Sequence, residues 1–506
     1  MMTAQPPRQE RRILIRRDES RFDARRWSAA LRFLERTILS LWIPRYCWFL
    51  LLLVLAASWS PDALSAELRL PPHRKVILTN GLTLLLVEHR EVPLVSFRVL
   101  IRAGGVADPA GKEGLASLTA ALLRRGARNR SAEEIASQLD FVGGQWETLT
   151  DVDRTVLAAE FLKKDVPFAL ELLNDLLRSP TFPETEVKQL RDQRLDGAKQ
   201  AKDEPHEVLP RYFYASLYGN HPYARPPGGD ERSLIAIQRE DVVAFHREHY
   251  APAQTIVAIA GDFETAALEA QFAKVFSEWT SESVQKGSLS PPLSVQGRTL
   301  VLVNKPDATQ TFFMLGNVGI PRGHPDRAGI SVVNTVFGGR FTSMLNEALR
   351  INSGLTYGAS SRFEQHRVAG PFLISSFTQN RTTTNALDLA LEVLRRLHHD
   401  GLSETQLRSA KAYIKGQFPT RFETTDQLAA LFADLEFFGL DVREMTEFFT
   451  RVDAVTVSDA RRIIHEHFPL ENLVFVMIGK AEEIKSSVAK YSPRLEVKEI
   501  TQLGFN

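Results

Sequence analysis

Cysteine is almost absent: the 506 residues include one, Cys47. Signal cleavage, for which the case is given below, would remove it and leave an exported chain with no thiol, which excludes disulfides and cysteine chemistry there. Long hydrophobic runs are also missing. The best candidate, Trp48 to Trp59 around Phe49-Leu50-Leu51-Leu52-Leu53-Val54-Leu55, falls short of the about 20 apolar residues that span a bilayer comfortably. An excess of one charge is lacking too, since 62 basic residues face 61 acidic ones. That balance excludes a general nucleic-acid binder, which needs a basic face, and gives no bias toward acidic substrates. Hydrophobic residues at 44% and charged ones at 24% fit a globular protein with a full core.

What charge asymmetry exists lies at the start. Residues 1–47 hold eleven Arg and no Lys against five acids. A basic flank, a short apolar run and then small residues form a secretory signal. Ala63-Leu64-Ser65 supplies the small positions, so cleavage is expected near Ser65 and residues 1–66 are assigned as leader. The expected location is outside the cytoplasm, in the periplasm, with membrane attachment if the segment is retained.

The remainder reads as two similar halves. Arg74 to Glu88 is predicted as two strands around the Asn80-Gly81 turn, and Val92 to Ile101 as a third. Helical patterns follow over Val166–Leu177, Glu184–Gln200 and Leu234–His249, then a strand over Thr255–Ala260. Glu248-His249-Tyr250 and the strand to Gly261 recur as Glu466-His467-Phe468 and the strand to Gly479, at a constant offset of 218 positions. A fixed offset across a helix end, a turn and a strand indicates internal duplication. The join falls in the Ser-, Gly- and Pro-rich stretch 281–297. The predicted domains are therefore 67–280 and 298–495. The fold class is α+β, with mixed or antiparallel sheets and helices packed on one face.

Gly114 to Arg124 is predicted as a short amphipathic helix. Leu115, Leu118, Thr119, Leu122 and Leu123 form one stripe, and Ser117, Ala120, Ala121 and Arg124 form another. This Gly-Leu-Ala segment resembles the region that carries the inverted zincin motif, His-x-x-Glu-His, in the insulinase/pitrilysin family of zinc metallopeptidases. Two His four apart on a helix reach one Zn²⁺, and the Glu between them is the general base. In this sequence Ser117 stands at the first His position, Ala120 at the Glu and Ala121 at the second His. The family's third ligand, a Glu about 75 residues on, aligns with Gly197, beside Asp196. No metal ligand set and no catalytic residue is expected in this chain alone.

The resemblance covers roughly residues 72–485. It includes His221-Pro222-Tyr223 with Pro227-Gly228-Gly229, His249-Tyr250-Ala251-Pro252 with Ile259-Ala260-Gly261-Asp262, and Phe337-Gly338-Gly339 with the helix that follows. It implies that Arg350 and Tyr357, seven apart, bind the substrate backbone and polarise its carbonyl. It also implies that Gly143 to Thr150 is a substrate-binding edge strand, here with Glu147-Thr148 in place of the usual Asn-Ala.

Within the family, zinc-free chains pair with a zinc-bearing relative to close a clam-shell chamber. The resemblance therefore implies half of such a chamber, a heterodimer with a zinc-bearing paralogue, zinc in that partner, and an unfolded peptide as substrate. The alternative is a non-enzymatic peptide-binding or scaffold protein of the same fold. His246-Arg247-Glu248-His249 and His465-Glu466-His467 have the wrong spacing for the zinc motif and read as structural helix ends. No other ligand cluster is legible.

Overall fold

In the computed structural model, residues 70–280, 289–418, 420 and 422–505 are described. The leader and its apolar run lie outside them, as does most of the first half of the join. Among the described residues no helix is long and apolar enough to cross a membrane. Leu68–Asn506 form one compact unit.

The first half contributes β1 (His73–Ile77), β2 (Thr83–Glu88), β3 (Leu94–Ile101), the two-residue pair β4 (Gly126–Ala127) and β5 (Arg130–Ser131), β6 (Gln145–Thr150), β7 (Thr155–Leu162) and β8 (Thr255–Gly261). The second contributes β9 (Arg298–Asn304), β10 (Gln310–Val318), β11 (Ala359–Phe363), β12 (Pro371–Gln379), β13 (Leu473–Gly479) and β14 (Leu495–Glu499). Two six-stranded sheets result, ordered β1-β2-β8-β3-β7-β6 and β14-β9-β13-β10-β12-β11. The β2–β8 pair of the first sheet is parallel, as are the β9–β13 and β14–β9 pairs of the second, and pairing is antiparallel toward the β6 or β11 edge. Five strands take the same places in both sheets, which is the duplication in three dimensions; the sixth differs, the N-terminal antiparallel β1 in the first and the C-terminal parallel β14 in the second. The expected end at 495 falls on the first residue of β14, so the second half runs on through the C-terminal tail, where Ile500 and Phe505 are buried.

The principal helices are α1 (Leu115–Leu122), α2 (Ala132–Val142), α3 (Val166–Arg178), α4 (Glu184–Gln200), α5 (Pro205–Tyr218) and α6 (Arg239–His249). The second half has α7 (Arg327–Phe337), α8 (Thr383–Asp400), α9 (Glu404–Gln417), α10 (Thr425–Phe438) and α11 (Val457–His467). Each sheet buries one face under helices of its own half. Leu84, Leu86, Phe97, Val99, Val257 and Ile259 face α1 and α3, and Phe313, Leu315, Phe372, Ile374 and Phe475 face α7 and α8.

The opposite faces are covered reciprocally. Leu85, Val87, Leu100, Ile256 and Ala258 of the first sheet pack on Leu428, Phe432 and Phe437 of α10, from the second half. Val301, Val303, Val474, Val476 and Ile478 of the second sheet pack on Val208, Leu209, Tyr212 and Phe213 of α5, from the first. Helices packed on one face thus describes each half's own helices, and the exchanged pair α5 and α10 supplies the other face. Burial on both sides explains why β8, after Thr255, and β13 are continuous apolar runs rather than alternating: all seven residues of each are buried. Polar contacts fasten the exchange. Ser96 and Thr425 hydroxyls meet at 2.7 Å, Arg98 Nε donates to Asp426 at 2.8 Å, and Arg154 to Asp434 at 2.6 Å.

Candidate functional site

The His-Pro-Tyr segment and the Pro-Gly-Gly segment both shape the surroundings of α1. Tyr223 is buried, and its hydroxyl donates to Asp153 at 2.7 Å; Asp153 in turn accepts from the Arg367 amide at 2.8 Å, so the segment joins the two halves. Gly229, at φ +77°, touches Gly114, at φ +94°, so closely that a Cβ on Gly114 would lie 2.8 Å from the Gly229 backbone. Only glycine permits that approach, and it seats the start of α1. The Asp108 carboxylate caps this end, accepting from the Gly114 and Ala116 amides at 2.7 Å each. Burial pushes its carboxyl up to about 7.

On α1, Leu115, Leu118, Thr119 and Leu122 are buried as the periodicity predicts, and Ala120 is buried with them. Ser117 and Ala121 are half-buried. Facing them is α4. Arg194 reaches across from it, donating through Nη1 to Ser117 Oγ at 2.9 Å and through Nη2 to Ser117 O at 3.0 Å. Among the described residues no carboxylate pairs with this guanidinium, and its desolvation lowers it to about 10. Gly197 lies one turn further along α4, exposed, with open space where a Cβ would be. The slot therefore holds one hydroxyl, two methyl groups, a hydrogen and a fixed cation. Those groups do not fit Zn²⁺, which needs neutral imidazole or anionic ligands and is repelled by a neighbouring guanidinium. Arg194 is the residue that sequence reasoning missed. Its signal was spacing, since it sits three positions before Gly197 on the same helix and so on nearly the same face.

Arg350 and Tyr357 lie in the second half, between α7 and β11. Arg350 is on a single π-helical turn, Glu347–Asn352. Its guanidinium lies over the Phe341 ring, 4.7 Å from the centroid. Tyr357 is 80% exposed. Among the described residues no hydrogen bond involves the Tyr357 hydroxyl or the Arg350 guanidinium, and none joins the two. Arg350 also lines a cavity of about 830 Å³ between the β10-β12-β11 sheet and α5.

The two sheet edges differ. At β11 three outward backbone groups are occupied: the Ala359 amide donates to Asn346, the Ser361 amide to the Gly338 carbonyl, and Asn334 donates to the Ser361 carbonyl. At β6, among the described residues, nothing beyond β7 bonds the backbone of Gln145 to Thr150. Leu149 on this strand is 61% exposed.

Histidines expected to be structural are packed as such. His246 Nε2 bonds the Leu177 carbonyl at 2.9 Å and its ring stacks on Tyr250 at 4.8 Å; burial lowers it to about 4. His249 packs on Phe245, and His465 on His398. One grouping was not legible in the sequence. His324, Asp326 and His467 bring ligand-type atoms within 4.8 Å of one another, although His467 is 141 positions from Asp326. Here, however, Arg462 forks onto both Asp326 oxygens at 2.7 and 2.9 Å, and His467 Nε2 bonds the same carboxylate at 2.9 Å. The Arg462 bonds hold Asp326 far below the usual carboxylate range. Arg462, Asp326 and His467 thus form a closed network that ties the start of α7 to the end of α11, and His324 accepts from the Asp326 amide and packs on His467.

Comparisons with known proteins agree with this geometry. Residues 84–231 match the family described as insulinase (peptidase family M16), and residues 236–414 the one described as peptidase M16 inactive domain. An uncharacterized zinc protease of Mycobacterium leprae is 26% identical over 396 residues, covering 78% of this chain and 88% of its own length. One of Bacillus subtilis is 25% identical over 347 residues, covering 69% and 84%. A peptidase M16 inactive domain from Pseudomonas fluorescens superposes with a TM-score of 0.76 at 26% identity, covering 81% of this chain and 98% of that one. A protease from Helicobacter pylori shares the fold, with a TM-score of 0.76 at 22% identity, covering 81% and 100%. Two models of one peptidase family together match residues 84–231 and 236–414, and Ser117, Ala120 and Ala121 stand where the resemblance puts His-x-x-Glu-His; the chain belongs to the insulinase family, as a member without that motif.

Proposed function

We propose that this chain is the zinc-free subunit of a two-chain insulinase-family peptidase. It receives an extended peptide on the open edge of β6 and presents Arg350 and Tyr357 to the active site of a zinc-bearing relative. The observation that carries this reading is the contrast between two places. The ligand slot is plugged by Arg194, while the Arg350 and Tyr357 head groups have no hydrogen-bond partner among the described residues. A forked guanidinium and a phenol hydroxyl are donors suited to a peptide carbonyl on which negative charge develops. An open strand edge binds main chain without regard to sequence, which suits an unfolded substrate. The zinc and the general base belong to the partner, and the leader directs the chain to the periplasm.

The test is co-expression with a zinc-bearing relative, followed by peptidase assays on each chain and on the mixture. Activity in the mixture alone, abolished by a chelator and by Arg350→Ala with assembly intact, is the expected result. Association without any dependence on Arg350 would instead make the chain a peptide-binding scaffold, a reading that the open β6 edge also supports.

A further inference from the structure

The cavity beside Arg350 has a composition that the proposed role does not use. Its floor is aromatic: Phe312 on β10 and Phe377 on β12 stack at 5.3 Å. Phe341, 61% exposed, stands at one side. Tyr413 comes from α9, with the Arg340 guanidinium 5.9 Å from its ring. His206, carried in from the first half by the exchanged helix α5, lies against Phe312 at 6.4 Å. None of the lining residues is acidic, while His206, Arg340 and Arg350 are basic.

The two arginines are only partly engaged. Arg340 Nη1 donates to Ser409 Oγ at 3.0 Å, but its Nε is buried without a hydrogen-bond partner. The Arg350 guanidinium lies over the Phe341 ring face and makes no hydrogen bond among the described residues. A buried donor left unmet is costly, and an incoming acceptor would remove that cost. Nearby, the middle of β11 offers little open backbone, because Asn346 takes the Ala359 amide and Gly338 and Asn334 take both groups of Ser361. Recognition here therefore falls to side chains, through apolar area and charge.

We infer that this cavity binds a carboxylate next to an aromatic side chain of a peptide, with the ring on Phe312 and Phe377 and the carboxylate between Arg340 and Arg350. Ring-on-ring contact suits the floor, and a guanidinium fork suits the anion. The carboxylate has two sources, an acidic side chain or a peptide C-terminus. The inference rests on the reading that the chain receives peptides, but not on the existence of a partner subunit.

The experiment uses the full chain alone and fluorescence anisotropy with labelled Gly/Ser-rich peptides. One peptide ends in Phe with a free C-terminal carboxylate, a second is the same peptide amidated, a third is amidated with an internal Asp-Phe, and a fourth is amidated with Lys-Phe. Either or both of the first and third peptides are expected to bind about tenfold tighter than the second and fourth, and which of them does so identifies the source. Arg340→Gln and Phe377→Ala are each expected to remove that difference, with Arg340→Lys restoring part of it and thermal melting confirming that the variants fold. Equal binding of all four peptides overturns the inference, as does an Arg340→Gln variant that still discriminates. Binding by the chain alone does not depend on turnover by a pair, so this site and the paired-peptidase reading can fail separately.

Discussion

Arg194 and Ser117 form a two-point contact, guanidinium to hydroxyl at 2.9 Å and guanidinium to carbonyl at 3.0 Å. The contact places a positive charge beside the positions that the family resemblance assigns to a metal, so that slot is occupied by a side chain rather than empty.

Restoring the ligands on α1 alone should therefore fail. The triple variant Ser117→His, Ala120→Glu, Ala121→His keeps Arg194, whose charge opposes Zn²⁺. Adding Arg194→Ala and Gly197→Glu should allow stoichiometric zinc, since nothing blocks a side chain at 197. Elemental analysis of the purified, dialysed variants decides the matter. One equivalent of zinc on the triple variant would show that Arg194 is no barrier.

The exchanged helices make each half dependent on the other. Fragment 1–280 lacks α10 and leaves Leu85, Val87, Leu100, Ile256 and Ala258 uncovered; fragment 289–506 lacks α5. Each fragment alone should be insoluble, because an apolar sheet face of that kind aggregates, and the two co-expressed should purify as a complex. Within the intact chain, Phe432→Ala and Phe213→Ala, in the two exchanged helices, should each cost about 3–5 kcal/mol in a single unfolding transition. A soluble, folded fragment 1–280 would contradict the exchange.

Stability should fall as the solution is acidified through the histidine range. Burial lowers His246 from 6.5 to about 4, and it lowers His249 and His398 as well. A histidine held neutral in the fold gains protons on unfolding at intermediate pH, so the unfolded state is favoured as pH drops from about 6.5 toward 4. His246 alone accounts for at most about 3 kcal/mol of that loss. Glu364, which accepts from Tyr214 and Arg362 at 2.8 Å each and has the His366 ring beside it, is held down to about 2 against burial and contributes in a lower window, below its unfolded value of 4.5. Urea midpoints at pH 7 and pH 5 should differ, and His246→Gln should shrink the difference. A pH-independent midpoint over this range would show that His246 titrates normally.

Much of this architecture was legible in the sequence because duplication repeats a pattern. The shared offset of Glu248-His249-Tyr250 and Glu466-His467-Phe468 marked two copies, and the copies proved to share the order of five strands, differing at the β1 and β14 edges. The α1 stripe was legible because Leu115, Leu118 and Leu122 follow helical spacing. The exchange of α5 and α10 was not. An apolar helix such as Val208, Leu209, Tyr212 and Phe213 declares that it is buried, but its sequence does not name the sheet that buries it. The Arg194 plug was hidden for a related reason. An arginine on a polar helix reads as a solvated charge, and only the packing of α4 on α1 turns it inward. The His324, Asp326 and His467 network needed the fold to bring together residues that share no local pattern.

The β6 edge offers the sharpest contrast between the halves. At the turn after β6, the Asp151 amide donates to the Arg154 carbonyl. Antiparallel pairing alternates from there, so Leu149 and Glu147 bond to β7 while Trp146 and Thr148 direct their backbone groups outward. On β11 the corresponding outward amide of Ser361 is already bonded to Gly338. Proline removes one amide donor and is tolerated on an edge only where that donor faces out. Thr148→Pro should therefore leave the melting temperature nearly unchanged while weakening binding of an extended peptide severalfold. Ser361→Pro should do the reverse, costing about 1–3 kcal/mol of stability with little effect on main-chain capture at β6. Melting curves and peptide anisotropy on the two variants settle the point: if Thr148→Pro binds peptide as the parent chain does, β6 is a bare edge, and the substrate reaches Arg350 and Tyr357 by another path.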